Sequence, residues 1–276
     1  MNISRIISSF FFIIFIYIST KSELLFNIFL INFLSFFCFW EFFRLLKFKN
    51  LQKTYKSRIS NFFLTRSKIT FIDFFQIILL QLSLTLYIFE NPVLSFSIFL
   101  IVLFLNFFKK YYKLLNFVGI IYLMIPFICV LNFYADQRNL LLFVLVISIA
   151  TDTGGYLFGK SLNGPKIFPL ISPNKTWAGF LGGIFLSILV FSLFFNRTFV
   201  TNYLFLLTII FFSVTCQLGD FVESYFKRFC NVKDSSNLIP GHGGILDRTD
   251  GIILLLIVIF ALNYFNFNFL KNLIIF

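Results

Sequence analysis

Four aspartates interrupt hydrophobic runs in which an ionised side chain is costly. Asp152 lies eight residues and Asp220 seven residues before a lysine near the end of such a run, and Asp247 and Asp250 stand at the start of another. A carboxylate within a membrane costs about 3 kcal/mol or more unless it is paired, bound to a metal or in contact with water. The four positions are therefore candidates for function.

The spacing of these acidic residues would group them on helix faces. One face, with spacing i, i+3, i+4 and i+7, consists of Asp220, Glu223, Ser224 and Lys227. Asp247 and Asp250 are likewise three residues apart. Because carboxylate oxygens are ligands that Mg²⁺ prefers, two such faces predict a divalent metal site. The alternative is a set of buried ion pairs, Asp220 with Lys227 and Asp247 with the basic residues around Arg248.

The segment between the two acidic faces combines cations with a glycine-rich turn. Its charged residues are Lys227, Arg228, Lys233, Asp234 and Arg248, and its turn is Pro240-Gly241-His242-Gly243-Gly244. Basic side chains neutralise phosphoryl oxygens, glycine lets backbone N–H groups approach an anion, and a helix start adds a positive dipole end. The segment therefore predicts phosphate binding. His242, the single histidine of the chain, is predicted either to organise this loop or to contact phosphate.

The composition indicates that a membrane must hold these residues. Apolar residues make up 59% of the 276 residues and charged residues only 12%, whereas a soluble domain carries about 25% charged residues. Hydrophobic runs of about 20 residues, the length that crosses the hydrocarbon core, recur along the chain. The predicted fold is an all-α, polytopic integral membrane protein with about nine transmembrane helices. The runs lie near 5–20, 24–46, 70–89, 92–108, 117–135, 139–158, 177–195, 202–222 and 251–270.

The positions of lysine and arginine support the count of nine, because short cytoplasmic loops collect these residues. If the N-terminus is cytoplasmic and the C-terminus outside, 19 of the 23 fall in cytoplasmic segments. We therefore expect a single transmembrane domain over 1–276, with N-terminal hydrophobic spans in 1–138. The catalytic region is predicted over 139–270, with cytoplasmic loops at 159–176 and 223–250.

The net charge of +12 would suggest nucleic acid in a soluble protein, but here the charges follow topology, so no nucleic-acid partner is predicted. The basic residues between Arg44 and Lys68 are expected to lie against anionic lipid headgroups. A role in gathering an acidic phospholipid substrate is the alternative. Arg5 before the first run is also typical of a cleaved signal peptide, but no small-residue cleavage site follows. A compact chain without a targeting extension predicts a bacterial inner membrane.

Residues 224–250 resemble a known family signature. The pattern is Ser224-x-Phe226-Lys227-Arg228-x4-Lys233-Asp234-x-Ser236-x2-Ile239-Pro240-x-His242-Gly243-Gly244-Ile245-x-Asp247-Arg248-Thr249-Asp250. At every specified position it is similar to the signature of bacterial and eukaryotic phosphatidate cytidylyltransferases. A second block, Ser172-Pro173-Asn174-Lys175-Thr176-Trp177-Ala178-Gly179, resembles the SPxKTxxG element of that family. It departs from the family at Ala178, where an acidic residue is usual. The resemblance covers roughly residues 140–260.

The resemblance implies an Mg²⁺-dependent nucleotidyltransferase at the cytoplasmic membrane face. In this family the phosphate of phosphatidic acid attacks the α-phosphorus of CTP, which yields CDP-diacylglycerol and pyrophosphate. The expected partners are CTP, phosphatidic acid and membrane lipids. The family also implies a homodimer, and the number of cations, a second monovalent or divalent ion included, stays open.

The resemblance also implies roles for individual residues. The expected metal ligands are Asp220 and Asp247, with Asp250, Glu223 and Asp234 as further or alternate ligands. The expected phosphate clamps are Lys227, Arg228, Lys233 and Arg248. The residues expected to bind substrate are Ser172, Asn174, Lys175, Thr176, Ser224, His242, Gly243 and Gly244. Asp152 is expected to be a polar partner.

Two other functions fit parts of the pattern. A CTP-dependent lipid-alcohol kinase would also use metal and basic residues at a membrane face, but it would transfer the γ-phosphoryl group of CTP. An ion-coupled transporter would use intramembrane carboxylates as ion sites. Transporters often show paired halves with broken helices, and this sequence shows no such internal symmetry.

Overall fold

A computed structural model describes residues 24–54, 69–109, 112–136, 138–194, 203–239 and 243–264. Within these ranges the regular structure is helical, apart from two isolated β-bridges. The helices are α1 (Leu24–Thr54), α2 (Phe71–Ile88), α3 (Pro92–Phe107), α4 (Lys113–Asp136), α5 (Arg138–Leu162), α6 (Trp177–Phe194), α7 (Tyr203–Phe229) and α8 (Leu246–Tyr264). The predicted all-α fold class is confirmed for the described part of the chain.

Each helix coincides with one of the predicted hydrophobic runs, and the predicted run at 5–20 lies outside the described residues. In the described part of the chain, five helices are long and apolar enough to cross a membrane, namely those containing Phe26–Lys49, Phe71–Ile88, Lys113–Phe133, Leu140–Leu162 and Tyr203–Phe229. Pro92–Phe107 and Trp177–Leu193 are shorter apolar helices. Such helices are those of an integral membrane protein.

Local sequence signals set the start of several helices. Thr70 and Asp73 form a capping box at the start of α2, because each side chain bonds the backbone N–H of the other residue. Pro92 occupies the first turn of α3, where its missing N–H is not needed. The Thr176 hydroxyl accepts a hydrogen bond from the Gly179 amide and caps α6.

The described chain forms two compact units. The first consists of residues between Met1 and Leu131 together with Lys227–Thr249. In it α1 packs against α2, and α2 packs against α3. The segment Lys227–Thr249 is most of the predicted loop 223–250, so the loop's phosphate-binding candidates share a unit with the N-terminal spans.

The second unit consists of Asn132–Phe226 and residues from Asp250 onwards. Its central contact is between α5 and α6, which glycine allows to approach closely. A Cβ atom on Gly154 would overlap the carbonyl oxygen of Gly182 and lie 2.8 Å from the Leu186 Cβ. The neighbouring Gly155 has room, since its Cβ would lie 3.6 Å from the Gly179 carbonyl oxygen.

We expect Gly154→Ala to destabilise the protein by about 1 to 3 kcal/mol, the usual cost of overpacking. The helix must shift because the obstructing atom belongs to the backbone of α6. Gly155→Ala is the matched control and should be neutral or slightly stabilising, since alanine favours helix by up to about 1 kcal/mol. Thermal unfolding in detergent measures both variants. Equal melting temperatures for the two variants would contradict the packing described.

Candidate active site

A set of side chains in the first unit joins the end of α7 to the start of α8, and we call it the loop cluster. Its members are Glu41, Arg44, Lys227, Ser235, Ser236, Gly244 and Asp247. At its centre the Lys227 Nζ donates to the Asp247 Oδ1 at 2.7 Å, with the two side chains 12% and 8% exposed. Lys227 thus bonds to Asp247, whereas the alternative prediction paired it with Asp220.

The second carboxylate oxygen of Asp247 receives three hydrogen bonds. The Ser235 amide donates at 2.8 Å, the Ser235 hydroxyl at 2.9 Å and the Gly244 amide at 2.7 Å. Burial by itself would raise the pKa of the Asp247 carboxyl. Lys227 and the backbone donors outweigh burial and hold this pKa below its usual range. Asp247, which precedes the predicted span 251–270, is therefore a carboxylate at neutral pH.

The last two residues of the glycine-rich turn, Gly243 and Gly244, lie against Asp247. Gly243 has a φ of 86°, a left-handed conformation that favours glycine. The Ile239 amide donates to the Gly243 carbonyl oxygen at 2.9 Å, which joins the described residues on either side of 240–242. The glycine amide predicted to approach an anion does so, and that anion is the Asp247 carboxylate of the chain itself. Binding of substrate by Gly243 and Gly244 stays a prediction.

Glu41 and Arg44 contribute to the loop cluster from α1. Both are buried, and the Arg44 guanidinium donates to the Ser235 carbonyl oxygen at 2.5 Å. Arg44 lies over the Trp40 ring and is attracted by the charges of Glu41 and Asp247. In the sequence, the i, i+3 spacing of Glu41 and Arg44 predicts only a local pair. An ionised residue in an apolar run is costly, and the aspartates were identified as functional candidates for this reason. The same criterion, applied to Glu41, would have identified it as well.

The other predicted residues of the loop do not belong to the loop cluster. The Arg228 guanidinium donates to the Val232 carbonyl oxygen at 3.0 Å. Lys233, Asp234 and Arg248 are exposed. His242 lies outside the described residues. Phosphate binding by these cations stays a prediction, and exposure leaves Lys233 and Arg248 accessible to a soluble nucleotide.

The second unit contains a separate group that we call the carboxylate cluster. Its members are Asp152, Lys175, Asp220, Glu223, Ser224 and Asp250. The Lys175 ammonium forms an ion pair with Asp220, and the Ser224 hydroxyl donates to the Asp220 Oδ1 at 3.3 Å. The Lys175 Nζ also lies 4.9 Å from the centre of the Phe221 ring. The SPxKTxxG-like block thus meets the acidic face of α7 through Lys175.

The chain before α6 holds Lys175 in place. The Ile167 amide donates to the Lys175 carbonyl oxygen at 3.1 Å, and the Trp177 amide donates to the Pro165 carbonyl oxygen at 3.0 Å. Thr176 forms an isolated β-bridge with Lys166, and its hydroxyl caps α6. Thr176 therefore has a structural role, and its binding of substrate stays a prediction. Ser172 is half-buried and Asn174 is exposed, and substrate binding by both stays a prediction.

Asp250 lies in an electrostatically unfavourable place. The like charges of Asp220, Glu223 and Asp152 all act on its carboxylate. Repulsion of this kind is relieved when a cation binds, and carboxylate oxygens are the donors that Mg²⁺ takes. The donor chemistry therefore fits a divalent cation. Among the described residues, however, no three His, Cys, Asp or Glu side chains are close enough to form a metal site by themselves.

Comparisons with known proteins agree with the sequence signature. The sequence pattern of the cytidylyltransferase family matches residues 3–266. A protein of Staphylococcus haemolyticus named phosphatidate cytidylyltransferase is 46% identical over 129 residues, which cover 45% of this chain and 50% of that protein. Proteins of the same name from Staphylococcus epidermidis and Staphylococcus aureus are 47% and 45% identical over 124 residues, 44% of this chain and 48% of each.

The chain therefore spans about half the length of the relatives that it matches. The family pattern extends over nearly all of its sequence, including α1 with Glu41, both clusters and the whole of the described part of α8. A match of that extent places the chain in the cytidylyltransferase family.

Proposed function

We propose that this chain transfers the cytidylyl group of CTP to phosphatidic acid and so makes CDP-diacylglycerol. The observation that supports this proposal most strongly is the Ser224–Asp250 signature. Its Lys227 and Asp247 form a buried ion pair in the loop cluster. Relatives at 45 to 47% identity bear the name phosphatidate cytidylyltransferase, which supports the proposal.

The reaction exchanges one phosphoanhydride bond for another. A phosphate oxygen of phosphatidic acid attacks the α-phosphorus of CTP and forms a new P–O–P bond. The bond between the α-phosphorus and the bridging oxygen breaks, and pyrophosphate leaves with that electron pair. A phosphate monoester is already ionised near neutral pH, so no general base is needed. Repulsion between two anionic reactants is then the main electrostatic obstacle.

The residues of the two clusters are suited to reduce that repulsion. Lys227 is held by Asp247, and Lys175 is held by Asp220, so both ammonium groups are positioned before a substrate arrives. Preorganised cations stabilise developing charge without reorganising at the moment of reaction. Arg228, Lys233 and Arg248 would add charge from the loop, and Ser172, Asn174, Thr176, Ser224 and His242 would supply hydrogen bonds to the nucleotide.

Mg²⁺ is the proposed cofactor. Asp220 of the carboxylate cluster, with Asp250 or Glu223 as the alternate ligand, would hold it together with phosphate oxygens of the substrates. Metal binding by Asp247 of the loop cluster stays a prediction. When bound, such an ion neutralises phosphate oxygens and stabilises the leaving pyrophosphate. The like charges around Asp250 support this assignment.

We further propose the arrangement of the chain in its membrane. It has nine transmembrane helices, the N-terminus in the cytoplasm and the C-terminus outside, as the distribution of lysine and arginine favours. The reaction then takes place at the cytoplasmic face of a bacterial inner membrane, and the enzyme acts as a homodimer. The five helices long enough to cross a membrane are compatible with this topology.

Purified full-length chain in detergent micelles tests the function. With CTP, phosphatidic acid and Mg²⁺ we expect pyrophosphate release, followed with a coupled phosphatase assay. Omission of CTP, or replacement of phosphatidic acid by phosphatidylcholine, should reduce the rate to background. Pyrophosphate release that is independent of phosphatidic acid would rule out the proposed acceptor.

A further inference from the structure

Glu41 binds the chain at the start of α8 through both of its carboxylate oxygens. Its Oε1 accepts hydrogen bonds from the Ile245 amide at 3.0 Å and the Ser236 hydroxyl at 2.5 Å. Its Oε2 accepts from the Leu246 amide at 2.8 Å and the Ser235 hydroxyl at 2.9 Å. The side chain thus satisfies two of the backbone donors that the first turn of a helix leaves unpaired.

Glu41 does not itself face a substrate. The residue is 0% exposed, and four donors of its own chain surround its carboxylate. Space around it is so limited that a Cβ atom on Gly244 would overlap both Glu41 and the Ser235 hydroxyl. Any influence of Glu41 on a reaction must therefore pass through its neighbours.

The connection to the reacting groups runs through Ser235. Its hydroxyl lies 2.9 Å from the Glu41 Oε2 and 2.9 Å from the Asp247 Oδ2. A hydroxyl has one hydrogen atom, so the two carboxylates share a single donor and the position of one depends on the other. Asp247 in turn holds the ammonium group of Lys227. Glu41, Ser235, Asp247 and Lys227 therefore form one continuous chain of contacts.

We propose that Glu41 is a positioning residue for nucleotidyl transfer: from α1 it binds the start of α8 and, through Ser235, holds Asp247 and Lys227 in the arrangement that receives phosphate. This inference rests on the proposed function. It goes beyond the signature, which begins at Ser224, long after Glu41, and leaves position 235 unspecified. It assigns α1 a part in building the site.

Glu41→Gln is the test variant because it keeps the shape of the side chain. The new amide nitrogen is a donor, and it must face one of two backbone amides that are also donors, so one contact is lost. A displacement of about 1 Å can reduce a rate by about 10²-fold. We expect kcat to fall by about 10- to 100-fold while KM for CTP and for phosphatidic acid changes by less than about 3-fold.

Asp73→Asn is the matched control. Asp73 is also buried in the first unit and forms an ion pair with Lys109 at 2.8 Å, but it belongs to no cluster described above. We expect it to lower the melting temperature and to leave kcat within about 3-fold of the parent value. A loss of kcat in Asp73→Asn as large as that in Glu41→Gln would mean that any buried carboxylate matters, and it would overturn the proposal.

A double-mutant cycle separates positioning from general stability. If Glu41 acts through Ser235, adding Ser235→Ala to Glu41→Gln should reduce kcat no further than the more severe single variant does. Multiplicative losses of kcat, or a parent-like kcat in Glu41→Gln, would contradict the proposal.

Failure of the proposed function would be seen differently, as a parent protein without pyrophosphate release. Hydrogen exchange would then decide whether Glu41 organises the loop. Faster exchange of the Ile245 and Leu246 amides in Glu41→Gln than in Asp73→Asn supports that role, and equal exchange overturns it.

Discussion

Asp247→Asn should abolish nearly all pyrophosphate release, with a fall in rate of about 10²- to 10³-fold or more. Asp247 accepts from the Lys227 ammonium through one oxygen and from three donors of Ser235 and Gly244 through the other. Asparagine has one acceptor oxygen, so either Lys227 faces an amide nitrogen or the three loop donors do. A buried lysine without its carboxylate is costly, and the loop must rearrange to solvate it.

Asp73→Asn is again the control, because its ion pair with Lys109 has nearly the same length and burial as the pair of Asp247 with Lys227. Initial rates at saturating CTP and phosphatidic acid, with melting temperatures for both variants, make the comparison. An Asp247→Asn protein that retains more than about a tenth of the parent rate would remove Asp247 from the site.

Lys175→Met should lower kcat/KM for CTP by about 10²- to 10³-fold, the loss typical of one preorganised charge-stabilising group. The ammonium group of Lys175 is paired with Asp220 and lies over the Phe221 ring, so it is fixed before the nucleotide binds. Methionine keeps most of the length of the side chain and removes the charge. Asp220 would also lose its cation.

Lys166→Met provides the matched control in the same loop, since Lys166 is exposed and belongs to neither cluster. Its rate should stay within about 3-fold of the parent value. Lys175→Arg should recover part of the lost rate, because the charge returns in a different geometry. Similar rates for Lys175→Met and Lys166→Met would show that Lys175 has no special role.

The positions of the helices were predictable from the sequence because lipid leaves the chain few alternatives. A backbone in hydrocarbon must satisfy its own hydrogen bonds, so an apolar run of sufficient length has to be helical. The predicted runs 70–89 and 92–108 correspond to α2 and α3, separated at Glu90-Asn91-Pro92. Proline at the start of α3 marks the break.

Ion pairing at the site was less predictable, because it depends on contacts between segments distant in sequence. Helical spacing suggested that Lys227 would neutralise Asp220, which lies two turns earlier on α7. The actual partners are Asp247 for Lys227 and Lys175 for Asp220, separated by 20 and 45 residues. Spacing on one helix identifies side chains that share a face, but it does not identify the charge that another segment brings there.

The glycine-rich turn illustrates the same limit. Its composition predicts backbone N–H groups directed at an anion, and the structure directs the Gly244 amide at Asp247. The start of α8 was expected to favour an anion, and Glu41 occupies it. In both places backbone N–H groups donate to an anion, as glycine-rich turns and helix starts favour. The identity of the anion could not follow from composition, because a carboxylate of the chain satisfies an N–H group as well as a phosphate does.

In each of the two clusters, the charges are arranged in advance. Lysines held by aspartates lie near the ends of helices, where exposed cations such as Lys233 and Arg248 can meet a soluble nucleotide. An anionic lipid and an anionic nucleotide would otherwise repel each other at such a surface. Neutralising that repulsion is the main contribution that we assign to the protein.

The fate of the phosphates of CTP distinguishes cytidylyl transfer from phosphoryl transfer. Purified protein is incubated with phosphatidic acid, Mg²⁺ and CTP labelled with ³²P at either the α- or the γ-position, and the lipids are then separated by thin-layer chromatography. We expect α-label in a cytidine-containing lipid, in equal amount to the pyrophosphate released, and no γ-label in lipid. Lipid that carries γ-label and no α-label would identify a kinase and rule out cytidylyl transfer.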